Sequence, residues 1–226
     1  MRTPAASEPR PAAGPTPLAL LHTSPVHIPV FDALRDRYHP ALALRHLVDE
    51  SLLDRARRSG PQAVAGEVRA AVEGAVADGA WAVLCTCSTI GAVAESLPVA
   101  VPVLRVDRPM AAAAVAAGPR VTVLATVAST LAPTAALIEE EARRAARPVR
   151  LDVRLVEGAW DRFEAGDGEG AARLVASAAD AVTATDSIVL AQASMAPAAL
   201  LTTTPVPVLS SPRPGLAAAA HLRPPD

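Results

Sequence analysis

The strongest constraint in this sequence is an alternation of short apolar strands with helical stretches that runs along the chain twice. Leu18 to Leu21, Leu42 to Val48, Ala80 to Cys85 and Val101 to Val106 read as strands. Ala80 to Cys85 is continuously apolar, the pattern of a strand covered on both faces. Helical patterns fill the gaps: Val30 to Tyr38, Pro61 to Asp78 with Val64, Val68, Val72 and Val76 at helical spacing, Ile90 to Ser96, and Pro109 to Ala117. Gly79 stands where a glycine ends a helix. The alternation then restarts, with strands at Arg120 to Ala125, Val149 to Val156, Ser187 to Ala191 and Pro207 to Leu209. Its helices are Ser129 to Ala146, Gly168 to Ala184, Pro197 to Thr203 and Gly215 to Leu222. Alternation of this kind builds parallel sheets with helices on both faces.

The two passes resemble each other. VLCTCST (Val83 to Thr89) matches VLAQASM (Val189 to Met195) without gaps, 106 positions on. LLHTSPVH (Leu20 to His27) matches VLATVAST (Val123 to Thr130), 103 positions on. Each stretch sits at the C-terminal end of an expected strand, where open α/β sheets bind ligands. The expected fold class is therefore α/β: two similar Rossmann-like or flavodoxin-like lobes with pseudo-twofold symmetry and an active site between them. The expected organisation is a disordered leader over residues 1–17, a first lobe over 18–117 plus 205–226, and a second over 118–204. The leader holds six prolines or glycines and no apolar core segment, so it does not read as a signal peptide.

Composition removes several function classes. All 21 basic residues are arginine. Without lysine there is no Schiff-base or pyridoxal-phosphate chemistry and no P-loop. A net charge of −2 argues against a nucleic-acid partner. No stretch is long and apolar enough to span a bilayer, so no membrane partner is expected. The two cysteines, Cys85 and Cys87, are too close for a good disulfide and too few for a zinc site. No metal is expected, and a reducing, cytoplasmic setting fits best. Alanine-rich helices that can pack closely leave room for a homo-oligomer.

Four polar loops carry the candidate chemistry. The first offers His22, Thr23, Ser24 and His27; the second Cys85, Thr86, Cys87, Ser88 and Thr89; the third Thr126, Ser129 and Thr130; the fourth Gln192 and Ser194. Small hydroxyls and backbone N–H groups at helix N-termini suit a carboxylate or another small anion. The same residue types also cap helices. Cys85 and Cys87 alternate across a strand end, so one faces the cleft and the other the core. A thiol at a helix N-terminus can serve as base or nucleophile. Asp49 and Glu50 read as helix-start acids. Glu139 to Glu141 with Arg143, Arg144 and Arg147 read as a solvated helix face, and Trp81 and Trp160 as packing residues.

These loops, in this order, resemble the aspartate/glutamate/hydantoin racemase superfamily over about residues 18 to 216. Cys87-Ser88-Thr89 resembles its first cysteine motif, often Cys-Asn-Thr. Leu124 to Ser129 resembles an inner Leu-Ala-Thr-x-x-Thr, with Thr126 and Ser129 in the matching places. Leu190 to Ala196 resembles the second motif of the hydantoin-racemase branch, Leu-Gly-Cys-Ala-Gly-Met-Ala. The resemblance implies cofactor-free acid/base chemistry at the α-carbon of a small carboxylate or amino-acid-like substrate, performed by two facing thiols. Here the second cysteine falls on Gln192, whose amide cannot act as general acid or base. Cys87 is then the expected acid/base, with His22 or His27 a source of the second proton and Gln192 a hydrogen-bond donor. The remaining loop hydroxyls would hold the carboxylate. The alternatives are a single-cysteine decarboxylase, a thiol nucleophile like the superfamily's maleate isomerases, and a non-catalytic binder of small acids.

Overall fold

The computed structural model describes residues 16–223. The expected leader, except for its last two residues, lies outside them, as do residues 224–226.

In the first half the elements run β1 (Leu18–His22), α1 (Ile28–Tyr38), β2 (Leu44–Val48), α2 (Glu50–Ser59), α3 (Ala65–Ala77), β3 (Ala82–Cys85), α4 (Ser88–Glu95), β4 (Val103–Arg105) and α5 (Arg108–Ala117). The second half gives β5 (Arg120–Ala125), α6 (Ala128–Arg144), β6 (Arg150–Leu155), α7 (Ala159–Glu164), α8 (Gly168–Asp180), β7 (Ser187–Leu190), β8 (Val208–Ser210) and α9 (Pro212–His221). A 3₁₀ segment over Ala193–Leu200 follows β7. The strands form two parallel four-stranded sheets of the same order, β2-β1-β3-β4 and β6-β5-β7-β8. The two-lobed α/β architecture expected from the alternation is the one observed.

The period of two explains the buried strands. Ala19, Leu21, Val83 and Cys85 point to the face covered by α2, α3 and α4. Leu18, Leu20, Ala82 and Leu84 point to the opposite face, under α1 and α9. Both faces being covered, Leu18 to Leu21 of β1 and the whole of β3 are apolar. Gly79, with φ of 90°, adopts the left-handed conformation that ends α3. Asp49 caps α2, its carboxylate accepting from the Ser51 N–H at 3.0 Å, as its place at a helix start suggested.

The lobes exchange their last helices. α5 follows β4 of the first sheet, yet Met110, Ala111, Ala114 and Val115 are buried against Val121, Val123 and Val189 of the second. α9 follows β8, yet Leu216 and Ala219 are buried with Leu18, Leu20 and Phe31 of the first. The structure thus differs from the expected lobe boundaries twice: α5 completes the second core, and β8 pairs with β7 in the second sheet. Strand pairing decides the second point, because the open edge of β7 takes the next extended segment. Gly215 permits the return crossing, since a Cβ there would lie 2.3 Å from the Val106 carbonyl oxygen.

The outward crossing runs through an ionic seam. The Arg105 guanidinium donates from Nε and Nη2 to the two Asp107 carboxylate oxygens, both at 2.9 Å. The two side chains are 3% and 0% exposed, so the pair is desolvated on both sides. Burial works against the charged form of Arg105, but the adjacent carboxylate holds its pKa above the usual value. Next to it, Arg108 donates to Glu95 of α4 and to Glu140 and Glu141 of α6. Glu140 and Glu141 are therefore part of the interlobe contact and not simply a solvated face, as expected from the i,i+4 pattern.

Replacing Asp107 with alanine leaves a guanidinium buried without its counter-charge. The expected loss is about 3–5 kcal/mol of folding stability, read as a lower midpoint in urea unfolding, while a surface control such as Asp152→Ala changes little.

Candidate functional site

The loops after β1, β3, β5 and β7 converge on a cleft between the lobes, with about 520 Å³ of empty space including its open mouth. Cys87 is the N-cap of α4 and Gln192 the N-cap of the 3₁₀ segment, both extended, with φ of −106° and −125°. Leu21 pairs with Cys85, and Leu124 with Leu190. Cys87 and Gln192 therefore each stand two residues beyond matching strand ends, as pseudo-twofold counterparts. The ungapped match of Val83 to Val189 is one residue out of register, because the Val-Leu pair recurs one position late in the second lobe.

Gln192 is fixed by its oxygen. Oε1 accepts from the Thr126 N–H at 2.7 Å and from the Thr126 hydroxyl at 3.0 Å. The amide NH₂ makes no hydrogen bond among the described residues, so both its protons are available to a ligand. Thr126 thus positions Gln192 and does not line the cleft. Thr23, Ser24, Thr89, Thr130 and Ser194 do line it. Ser88 and Thr86 line it as well, but their protons are committed. Ser88 Oγ donates to the Ala191 carbonyl across the lobes at 2.9 Å. Thr86 Oγ1 donates to the Leu21 carbonyl at 3.1 Å and lies 2.8 Å from His22 Nδ1. Ser129 is not among the cleft residues, and its buried Oγ has no partner.

Two candidate acid/base residues move out of the site. Cys85 is fully buried in the first-lobe core, pointing to the same face as Leu21 and Val83. Burial and the neighbouring Cys87 push its thiol pKa up, although its Sγ–H donates to the Cys87 carbonyl at 3.6 Å. His22 is also fully buried, in a chain from Thr86 through His22 to His46 Nδ1 at 2.8 Å and on to Asp32 at 3.3 Å. Burial, then the nearby His46 and His27, lower its pKa from 6.5 to about 3. Neither reaches the cleft. His27 does line it, and burial lowers its pKa, which favours the neutral imidazole.

Leu53, Arg57, Trp160 and Phe163 complete the wall. Trp160, expected to be a packing residue, stacks on Phe163 with ring centres 5.4 Å apart. Arg57 lies 5.2 Å over the Trp160 ring. The sequence pattern did not single out Leu53, Arg57 and Phe163, since it marked just the start of α2, at Asp49 and Glu50, and did not resolve α7 as a helix. Among the described residues no His, Cys, Asp and Glu cluster could hold a metal ion, and no helix is long and apolar enough to cross a membrane.

In the native protein a thiol reagent should modify Cys87 and spare Cys85 until the chain is unfolded. Peptide mass spectrometry with and without denaturant reads this directly. His22 sets a pH dependence. Its pKa is lowered by folding, so the stability it contributes is complete above pH 6.5 and is lost as pH falls toward about 3. The slope reaches at most about 1.4 kcal/mol per pH unit, and His22→Phe flattens it in urea unfolding at a series of pH values.

No protein-family model matches the sequence, and no curated protein matches it. Solved structures do. A glutamate racemase isoform from Bacillus anthracis matches with a TM-score of 0.70 at 16% identity, covering 92% of this chain and 82% of its own. An aspartate racemase from Picrophilus torridus matches at 0.67 and 13% identity, covering 91% and 94%. An allantoin racemase from Pseudomonas fluorescens matches at 0.55 and 18% identity, covering 91% and 89%. The chain has the two-lobed α/β fold of these solved glutamate, aspartate and allantoin racemases.

Proposed function

We propose that this protein is a cofactor-independent, racemase/isomerase-type enzyme of the aspartate/glutamate/hydantoin racemase superfamily, whose thiol performs acid/base chemistry at the α-carbon of a small carboxylic acid. The observation that carries the reading is the pairing of Cys87 with Gln192 at equivalent positions of the two lobes, on opposite sides of one cleft. Cys87 is the acid/base. Gln192 has no proton to exchange, but its NH₂, oriented by Thr126, donates to the charge that develops as the α-proton leaves. Thr23, Ser24, Thr89, Thr130 and Ser194 hold the substrate carboxylate together with the N-terminal N–H groups of α4. Donors fixed before the reaction stabilise an enediolate without reorganisation at the moment it forms.

A second reading restores two-sided chemistry with His27 in place of the second thiol. It is favoured by the position of His27 in the same cleft and by the burial that keeps its ring neutral, able to accept a proton. The histidine expectation narrows to His27, because His22 is enclosed.

Incubation with a panel of small carboxylic acids in deuterated water tests both. One-sided chemistry gives α-deuteration with retained configuration. The Cys87→Ser variant should lose on the order of 10²–10⁴-fold in exchange rate, and Gln192→Cys should introduce inversion. Inversion by the unmodified enzyme, abolished by His27→Gln, would favour the two-sided reading. Exchange unaffected by Cys87→Ser would remove the thiol from the mechanism altogether.

A further inference from the structure

The cleft carries one permanent charge, and it is positive. Among the described residues that line it there is no Asp or Glu, and the guanidinium of Arg57 is the sole fixed charge. Arg57 has a buried Nε with no hydrogen-bond partner. Among the described residues it also has no ion pair, whereas Arg55 on the same helix pairs with Glu67 at 3.2 Å. The Trp160 ring, itself stacked on Phe163, holds the guanidinium from one side at 5.2 Å. A cation is thus fixed at the wall of the cleft with its donor fork free for an anion. The free hydroxyls of Thr89 and Ser194 and the N-terminus of α4 favour an anion too.

An α-ammonium entering this space would meet a fixed cation and find no carboxylate. We infer that the cleft takes a small dicarboxylate that lacks an amine, one carboxylate seated among the hydroxyls and helix N-termini and the other on Arg57, and that Arg57 is the residue that discriminates. The inference rests on the cleft given above to proton transfer, but it concerns what binds and not what the thiol does.

Isothermal titration calorimetry with succinate, propionate, L-aspartate and D-aspartate tests it, using the full chain and its Cys87→Ser variant. Succinate should bind about tenfold or more tightly than propionate and than either aspartate. The same order should hold in Cys87→Ser, where proton exchange is lost, so failure of the catalytic reading and failure of this one are told apart. Arg57→Gln, checked by its melting curve to be folded, should erase the preference for succinate over propionate. Arg57→Lys should keep part of it. Either aspartate binding as tightly as succinate, no measurable binding of any of the four acids, or an unchanged succinate preference in Arg57→Gln would overturn the inference. If Arg57→Gln does not fold, the comparison of succinate with the aspartates and the partial effect of Arg57→Lys still decide it.

Discussion

The buried bidentate pair between Arg105 and Asp107 lies where the chain leaves the first lobe for the second. β4 ends at Arg105, Asp107 stands just before the start of α5, and α5 packs into the other lobe's core. A buried ion pair adds little net stability over apolar residues of equal volume. What it supplies here is direction: a planar guanidinium on a planar carboxylate sets how α5 departs from the edge of the sheet. Gly91 of α4 belongs to the same arrangement, since a Cβ there would stand 3.0 Å from the Arg105 Nε. Arg108 then ties α4 to α6 through Glu95, Glu140 and Glu141. Because α4 begins at Cys87, the seam that joins the lobes also aims the thiol.

The duplicated fold makes the difference between its halves informative. The register places Thr23 in the first lobe where Thr126 stands in the second. In the second lobe this threonine spends both its N–H and its hydroxyl on the Gln192 oxygen. In the first, the counterpart of Gln192 is a thiol, which needs no such anchoring, and the Thr23 hydroxyl is left for the cleft. One lobe therefore presents a group that can exchange a proton and a free hydroxyl. The other presents an oriented amide that can only donate hydrogen bonds.

Much of this was legible in the sequence, for physical reasons that also mark where legibility ends. β1, β3 and β7 are covered on both faces, so apart from His22 at the end of β1 and Ser187 at the start of β7 each is an apolar run. The polar loops at their ends stood out against them. The alternation of strand faces separated Cys85 from Cys87. The helices α2 and α7 did not stand out. α2 buries just Leu52 and Ala56 among charged residues, and α7 has six residues, too few to show a helical period. Arg57 and Phe163 went unseen with them, and Trp160 read as a packing residue. The passage of α5 to the second lobe was equally hidden, because an alanine-rich helix could cover either sheet, whereas residues 205–226 were expected in the first lobe, where α9 packs. The choice between lobes rests on contacts such as Gly215 against Val106, which join residues far apart in the chain.

In the proposed reading, an amide standing at Gln192, where the resemblance places a second thiol, changes what the cleft demands of a substrate. Removing an α-proton from a carboxylate creates a second negative charge beside the first. A site with two thiols can return a proton from either face, but the amide face must bear that charge with hydrogen bonds alone. Fixed donors in a space shielded from water do this best, where a hydrogen bond to an anion is worth more than in bulk solvent. The cleft is built accordingly: unspent hydroxyls, an anchored NH₂, the N-terminus of α4, and a guanidinium held against an indole. No carboxylate among the residues lining it opposes that field. The absence of a second thiol and the uniform preference for negative charge are then parts of one design, in which the proposed chemistry proceeds from the Cys87 side while the rest of the wall holds the charge in place.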